Sequence, residues 1–278
     1  MGIIDFTVLP PVGTLCNDVD SFRIARYGGE EALSIKVCPH GFPGIVFQQN
    51  NGQSAIKDIN TKSGRVIDIP TLYIHGQVKE LAIMNFKQGP FVTIQVVLKP
   101  HALRTLFGMD VSTLTNNSFG FAEIGMEDLN RQLLDAKDNK HYIKLLTDFL
   151  MEKQSQGYPR DTLVEQSLCL INKNISFVTV KYLIEQLHIS ERQFEKRFVQ
   201  CVGITPQAFI RIKRVNEAIK LMDTDRYERL SDIARALNYY DQSHFIRDIK
   251  EFSGITPKSI SQKVNSFHHD HISSSYLV

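Results

Sequence analysis

Arg192 and Lys196 stand four residues apart, with Gln193 and Glu195 flanking them, and a spacing of four puts two side chains on one face of a helix. A guanidinium there offers paired donors, an ammonium a compact positive charge and a carboxylate only acceptors, so the set is equipped to hydrogen-bond planar polar groups. Displaced by 51 positions, Ser243 and Arg247 fall in the same places, with Gln242 and His244 beside them. Metal chemistry has less to work with. His40, His75 and His101 are separated by 26 to 35 residues, whereas a ligand set legible in sequence keeps its histidines within a few positions of each other. Cys16, Cys38, Cys169 and Cys201 show no Cys-x-x-Cys spacing, which suits buried thiols in a reducing compartment. His268, His269 and His271 offer imidazoles, but in a polar, Ser-rich end that reads as a free tail. The expectation is no metal, no cofactor and no catalysis.

The elements that must carry the polar sets are helices. Val180, Leu183, Ile184 and Leu187 form one apolar stripe, and Phe194, Phe198 and Val202 form another, with His188 to Ser190 as a tight turn between them. Ser190 is placed to cap the second helix through its hydroxyl. About fifty residues on, Leu230, Ile233, Ala234 and Leu237 repeat the first stripe, while Phe245, Ile249 and Phe252 repeat the second. Asp241 takes the capping place. Each second helix is followed by Gly-Ile-Thr-Pro, at Gly203 to Pro206 and at Gly254 to Pro257. The glycine ends a helix where φ must be positive, the isoleucine packs back on its last turn, and Thr-Pro opens the next helix. Between the units, Phe209, Ile212, Val215, Ile219 and Met222 predict one connecting helix over Pro206 to Met222.

This tandem arrangement resembles the DNA-binding domain of the AraC/XylS family of bacterial transcription regulators, over roughly residues 162 to 264. The match is carried by "LSDIARALNYYDQSHFIRDIKEFSGITPKSI" and, for the first unit, by "ISERQFEKRFVQCVGITPQAFI". His188 and Asn238 stand at turn positions where that family usually has glycine, and both types tolerate a left-handed backbone. The resemblance implies that the second helix of each unit enters a major groove of double-stranded DNA. It implies base contacts for Arg192, Gln193, Glu195, Lys196, Gln242, Ser243, His244 and Arg247. Phosphate contacts are expected from Ser190, Arg211, Lys213, Arg214 and Lys258. RNA polymerase, a small-molecule effector and a second copy of the chain are the further partners it implies.

Before residue 156 the texture differs. Short β-rich runs such as Gly44 to Gln53 and Phe91 to Pro100, broken by Gly, Pro and Asn, read as strands joined by turns. Stripes within Met126 to Lys153, including Ile143, Leu146 and Leu150, read as helices whose apolar face serves as core or as a dimer surface. The expected fold is therefore α+β. A β-rich regulatory domain, a cupin-like barrel or sheet with trailing helices, occupies 1–155, a linker 156–161, an all-α tandem helix-turn-helix domain 162–265, and a flexible tail 266–278. A regulator whose N-terminal domain only dimerises or binds a protein is the alternative to effector control. Cys38-Pro39-His40 is similar to the Pro-Cys-His of DNA alkyl-transfer proteins, but with Cys and Pro exchanged, so a buried thiol beside a turn is the preferred reading. Net charge is +2. Residues 160 to 265 hold 17 Lys/Arg against 13 Asp/Glu, and residues 1 to 159 hold 15 against 16, which places the modest basic excess where nucleic acid is expected. The longest apolar run, Phe91 to Leu98, is far shorter than the roughly 20 residues of a membrane helix, and the first residues carry no basic leader, so a cytoplasmic location is expected.

Overall fold

The computed structural model describes residues 4–120, 127–223, 227, 229–257, 259, 267–269 and 274–277. The N-terminal half contains β1 (Ile4–Leu9), β2 (Val19–Tyr27), β3 (Ser34–Val37), β4 (Gly44–Gln49), β5 (Ile56–Thr61), β6 (Val66–Ile67), β7 (Leu72–His75), β8 (Ala82–Phe86), β9 (Phe91–Leu98) and β10 (Ser118–Gly120). They form two antiparallel sheets. One has the order β1-β2-β9-β4-β7-β10; the other runs β6-β5-β8-β3 and is extended by two strands from the chain's end, β12 (Ser274–Leu277) and then β11 (Phe267–His269).

Period-two alternation gives the first sheet two different faces. Phe22 and Ile24, Ile45 and Phe47, Leu72 and Ile74, and Ile94 and Val96 point one way and join a single apolar cluster with α1 (Ala102–Phe107), α2 (Glu127–Asp135) and α3 (Asn139–Ser155). Arg23, Val46, Tyr73, Thr93 and Gln95 point the other way, towards the second sheet. Leu146 and Leu150 are fully buried in the helix-covered core. The stripe that sequence left open as core or dimer surface is therefore core, and each such leucine contributes about 1.5 to 3 kcal/mol by leaving water.

The C-terminal half is helical: α4 (Thr162–Lys173), α5 (Val180–Leu187), α6 (Glu191–Val202), α7 (Pro206–Asp223), α8 (Leu230–Ala236) and α9 (Gln242–Ser253). Its core draws on every one of these helices, with Phe194, Phe198, Phe209 and Phe245 almost completely buried. Cys38 of the N-terminal half belongs to the same cluster, so the two halves share packed surface.

Two expectations change, and the linker is tied down by an ion pair. The tail is not a free end throughout, because Ser275, Tyr276 and Leu277 pair with Val37, Lys36 and Ile35 on the exposed edge of β3. Two of the four cysteines, Cys16 and Cys169, are exposed. Nor is the linker loose. Arg160 donates to both oxygens of buried Asp18 at 3.1 and 3.2 Å and to Glu165 at 2.8 Å, while Thr105 and Gln154 also donate to Asp18. Burial by itself would raise the Asp18 pKa, but hydrogen bonds from His101, Gln154 and Thr105 and the Arg160 charge outweigh it and hold the carboxyl well below the carboxylate range. A depressed folded-state pKa gives stability that is complete above the unfolded value of about 3.9 and is lost as pH falls below it. The protection factors of the Arg160 to Glu165 amides, taken against intrinsic exchange at each pH, should therefore be high at neutral pH and fall below about pH 4, and Asp18→Asn should remove that step.

Candidate nucleic-acid interface and inter-sheet cavity

Each helix-turn-helix unit is assembled from local signals. In the first, the Thr179 hydroxyl accepts from Tyr182 N at 3.1 Å to open α5, and His188 closes that helix in the left-handed region at φ 50°. In the second, Asn238 adopts φ 54°, and the Asp241 carboxylate accepts from His244 N at 2.6 Å to open α9. Ser190 occupies the equivalent capping place, yet its hydroxyl bonds the Gln193 side chain and caps no amide. The acid therefore does at α9 what the hydroxyl was expected to do at α6.

The second turn is one residue longer. His188 and Asn238 are 50 apart, whereas Ser190 and Asp241 are 51 apart, and the residue gained is Tyr240, which is 94% exposed beside the start of α9. That change of offset was the signal available in sequence for a residue the motif reading passed over.

On α6, Phe194 and Phe198 are buried while Arg192, Gln193, Glu195 and Lys196 are exposed; on α9, Phe245 and Ile249 are buried while Gln242, Ser243, His244 and Arg247 are exposed. The eight residues singled out for base contact thus lie on outward faces of the two helices. His244 is partly engaged, with its ring edge-on to Tyr239 and Nε2 3.7 Å from Asp248.

The phosphate set fares differently. Arg211 donates to Asp248 at 2.6 and 3.0 Å and to Glu251 at 2.5 and 3.3 Å, and its guanidinium lies over Phe252. Arg214 donates to Val178 O at 3.0 Å and covers Tyr239. Lys213 packs its ammonium 4.5 Å above the Phe42 ring, and burial pushes its pKa down to about 8. All three are half-buried and engaged with protein: Arg211 with α9, Lys213 with the N-terminal half, and Arg214 with the segments that precede α5 and α9. Ser190 is exposed. Lys258 lies outside the described residues.

Both Gly-Ile-Thr-Pro glycines have the anticipated left-handed backbone, φ 96° at Gly203 and 72° at Gly254. Both also abut the N-terminal half. A Cβ on Gly203 would sit 2.9 Å from Val111 O, and one on Gly254 would sit 2.7 Å from Leu81 Cδ2. The Thr115 hydroxyl donates to Gly203 O.

A cavity of about 260 Å³ lies between the two sheets. Its wall is mainly apolar, from Ile35, Ile56, Met84 and Phe86 on one side and Val46 and Tyr73 on the other, with Arg23, His40, His75 and Gln95 among its polar lining. The register that pairs Gly44 with His75 brings His75 close to His40; the two rings are edge-to-face at 6.4 Å. Burial lowers the pKa of both imidazoles, with nearby cationic groups adding to the effect at His40, so both are neutral at pH 7. Their tautomers are set by backbone. Phe42 N donates to His40 Nδ1 at 3.2 Å, which leaves the proton on Nε2; His75 Nδ1 lies 3.0 Å from Gly76 O and must donate to it, which leaves a lone pair on Nε2. Beside them, burial pushes the Cys38 thiol up to about 12, which disfavours the thiolate that a nucleophile requires. Among the described residues no group of three or more His, Cys, Asp or Glu is placed to hold a metal, and no helix is long and apolar enough to cross a membrane.

Residues 183–263 match a helix-turn-helix domain family, and residues 7–119 match a domain family of unknown function, DUF6597. No curated protein matches the chain. Among solved structures it is similar to ToxT from Vibrio cholerae, at 13% identity over 88% of this chain and 97% of that one, with a TM-score of 0.48. A fatty-acid-bound form of ToxT from the same species gives 13% identity, 86% and 94% coverage and a TM-score of 0.47. A transcriptional regulator with an AraC-type DNA-binding domain from Chromobacterium violaceum is 21% identical over 37% of this chain and 92% of that one, with a TM-score of 0.35.

Proposed function

From the premise that the chain is a DNA-binding regulator carrying an AraC-type helix-turn-helix domain at its C-terminus, we propose that it reads two successive major-groove segments with α6 and α9, under the control of a small molecule held between its sheets. The observation that carries the first part is the shared design of the two helices: each buries an aromatic face and turns outward a set of donors and acceptors suited to base edges. In this reading Arg192, Gln193, Glu195 and Lys196 meet one segment, and Gln242, Ser243, His244 and Arg247 meet the next, about 34 Å along the duplex. Ser190, Lys258 and the exposed Tyr240 contact the backbone. Arg211, Lys213 and Arg214 instead hold α7 in place.

Selection of bound sequences from random double-stranded DNA is expected to enrich a bipartite site. Arg247→Ala should then lose about 1 to 3 kcal/mol of preference for that site over random DNA with the fold intact; unchanged preference would remove Arg247 from the base-reading set. Effector control rests on the inter-sheet cavity, whose mainly apolar wall and few convergent polar groups have the character of a small-molecule site. The alternative, in which the N-terminal half only dimerises or binds a protein partner, draws less support, since Leu146 and Leu150 lie in the core. RNA polymerase is a partner that this class of regulator would meet at a promoter.

A further inference from the structure

We propose that the inter-sheet cavity selects an apolar molecule bearing one neutral hydroxyl, an alcohol or a phenol, whose oxygen bridges His40 Nε2 and His75 Nε2. The inference deepens the effector reading above and rests on it. Its basis is complementarity at two nitrogens. His40 is 95% buried, as its 5% exposure states, and both rings line the cavity. The backbone bonds at the two Nδ1 atoms leave His40 a donor and His75 an acceptor at Nε2. Neither Nε2 has a hydrogen-bond partner among the described residues.

A hydroxyl, like water, accepts from one neighbour and donates to another through the same oxygen, and an alcohol or phenol carries that oxygen on an apolar body. A hydrocarbon leaves both nitrogens unmatched, and a carboxylate offers no proton to His75. Ile35, Ile56, Met84 and Phe86 then receive the rest of the molecule. The same contact has a route to the DNA-binding half. Gly41, next to His40, has φ 83°, and a Cβ there would sit 3.1 Å from Lys213 Cδ and 3.2 Å from Phe209 Cε2 of α7; Phe42 lies under Lys213. A ligand that fixes His40 therefore acts one residue away from the helix that joins the two reading heads.

The test uses the full chain and three probes of equal length: octanol, octanoate and octane. Calorimetry should show octanol binding at least tenfold more tightly than the other two. On binding, the ¹⁵N resonance of the unprotonated His75 Nε2 should move upfield while His40 keeps its Nε2 proton. His40→Asn and His75→Asn preserve the bonds to Phe42 N and Gly76 O but lack Nε2, and each should weaken octanol about tenfold while leaving octane unchanged. Operator affinity, measured alongside, separates two failures. If octanoate binds as well as octanol or better and shifts operator affinity, effector control stands, the hydroxyl assignment falls and Arg23 is the selecting group. If no probe binds and operator affinity is insensitive to all three, the effector reading falls together with the proposal. Asn variants that fold and bind octanol as the wild type does would also overturn it.

Discussion

Arg211→Ala is expected to destabilise the C-terminal domain by about 2 to 4 kcal/mol and to weaken DNA binding only in proportion to the unfolded fraction. Asp248, on the buried face of α9, is 2% exposed and takes two hydrogen bonds from this guanidinium. Removing the cation leaves a carboxylate in the interior with His244 Nε2 at 3.7 Å, and breaking one half of a buried pair costs about 3 to 5 kcal/mol. Arg211 itself is 37% exposed and shared with Glu251, so water and the second acid reduce that cost towards the lower figure. Denaturant unfolding of the variant decides between two roles. A phosphate contact would leave stability unchanged and lower the salt dependence of DNA binding by about one unit of slope; a structural clamp does the opposite. Arg211→Ala combined with Asp248→Leu should recover much of the loss, because it removes the stranded charge along with its partner.

Gly203→Ala is expected to cost about 2 to 5 kcal/mol and to loosen the docking of the two halves. At φ 96° an L-residue pays roughly 1 to 2 kcal/mol for the left-handed backbone. The new methyl also meets Val111 O at 2.9 Å, which is backbone and moves only if the turn Val111–Leu114 moves; overpacking of this kind adds about 1 to 3 kcal/mol. Docking can be read separately from the stability of the helical half. Thr115→Val removes the hydrogen bond to Gly203 O without touching φ, and should speed proteolysis in 156–161 while leaving the melting of the helical half unchanged. Gly203→Ala should do both. If its loss is matched in the isolated helical half once that half is shown to fold, the contact with Val111 contributes nothing.

The helix-turn-helix units were legible because every signal in them is short-ranged. A stripe at spacings of three and four, a left-handed residue at its end and a cap at the next start lie within a dozen positions, so Phe194 and Phe198, and Phe245 and Ile249, identify the buried face and by subtraction the outward one. The Ser190 cap was misjudged for a reason of the same scale: serine and aspartate are both good caps, and only the actual rotamer decides between an amide and the Gln193 side chain. The strands were legible as strands. Their partners were not, since β2 pairs with β9 some seventy residues away, and alternation tells which residues share a face but not which sheet that face meets.

What the sequence determined by itself, then, is the tandem unit, its left-handed helix ends and the eight outward residues on α6 and α9. Tertiary structure decided the roles of residues whose direction depends on a third body. Arg211, Lys213 and Arg214 fall within about half the circumference of α7, and a helical wheel shows their relative angles without showing that α9, the N-terminal half and the segment carrying Val178 occupy those angles. His40 and His75, 35 residues apart, became a matched donor and acceptor only when β4 paired with β7. The repeated Gly-Ile-Thr-Pro shows both sides at once. Its helix-ending role follows from backbone sterics within four residues, while its second role, giving Val111 and Leu81 a place to press against the two helix-turn-helix units, exists only because a separately folded sheet lands on a residue that has no side chain.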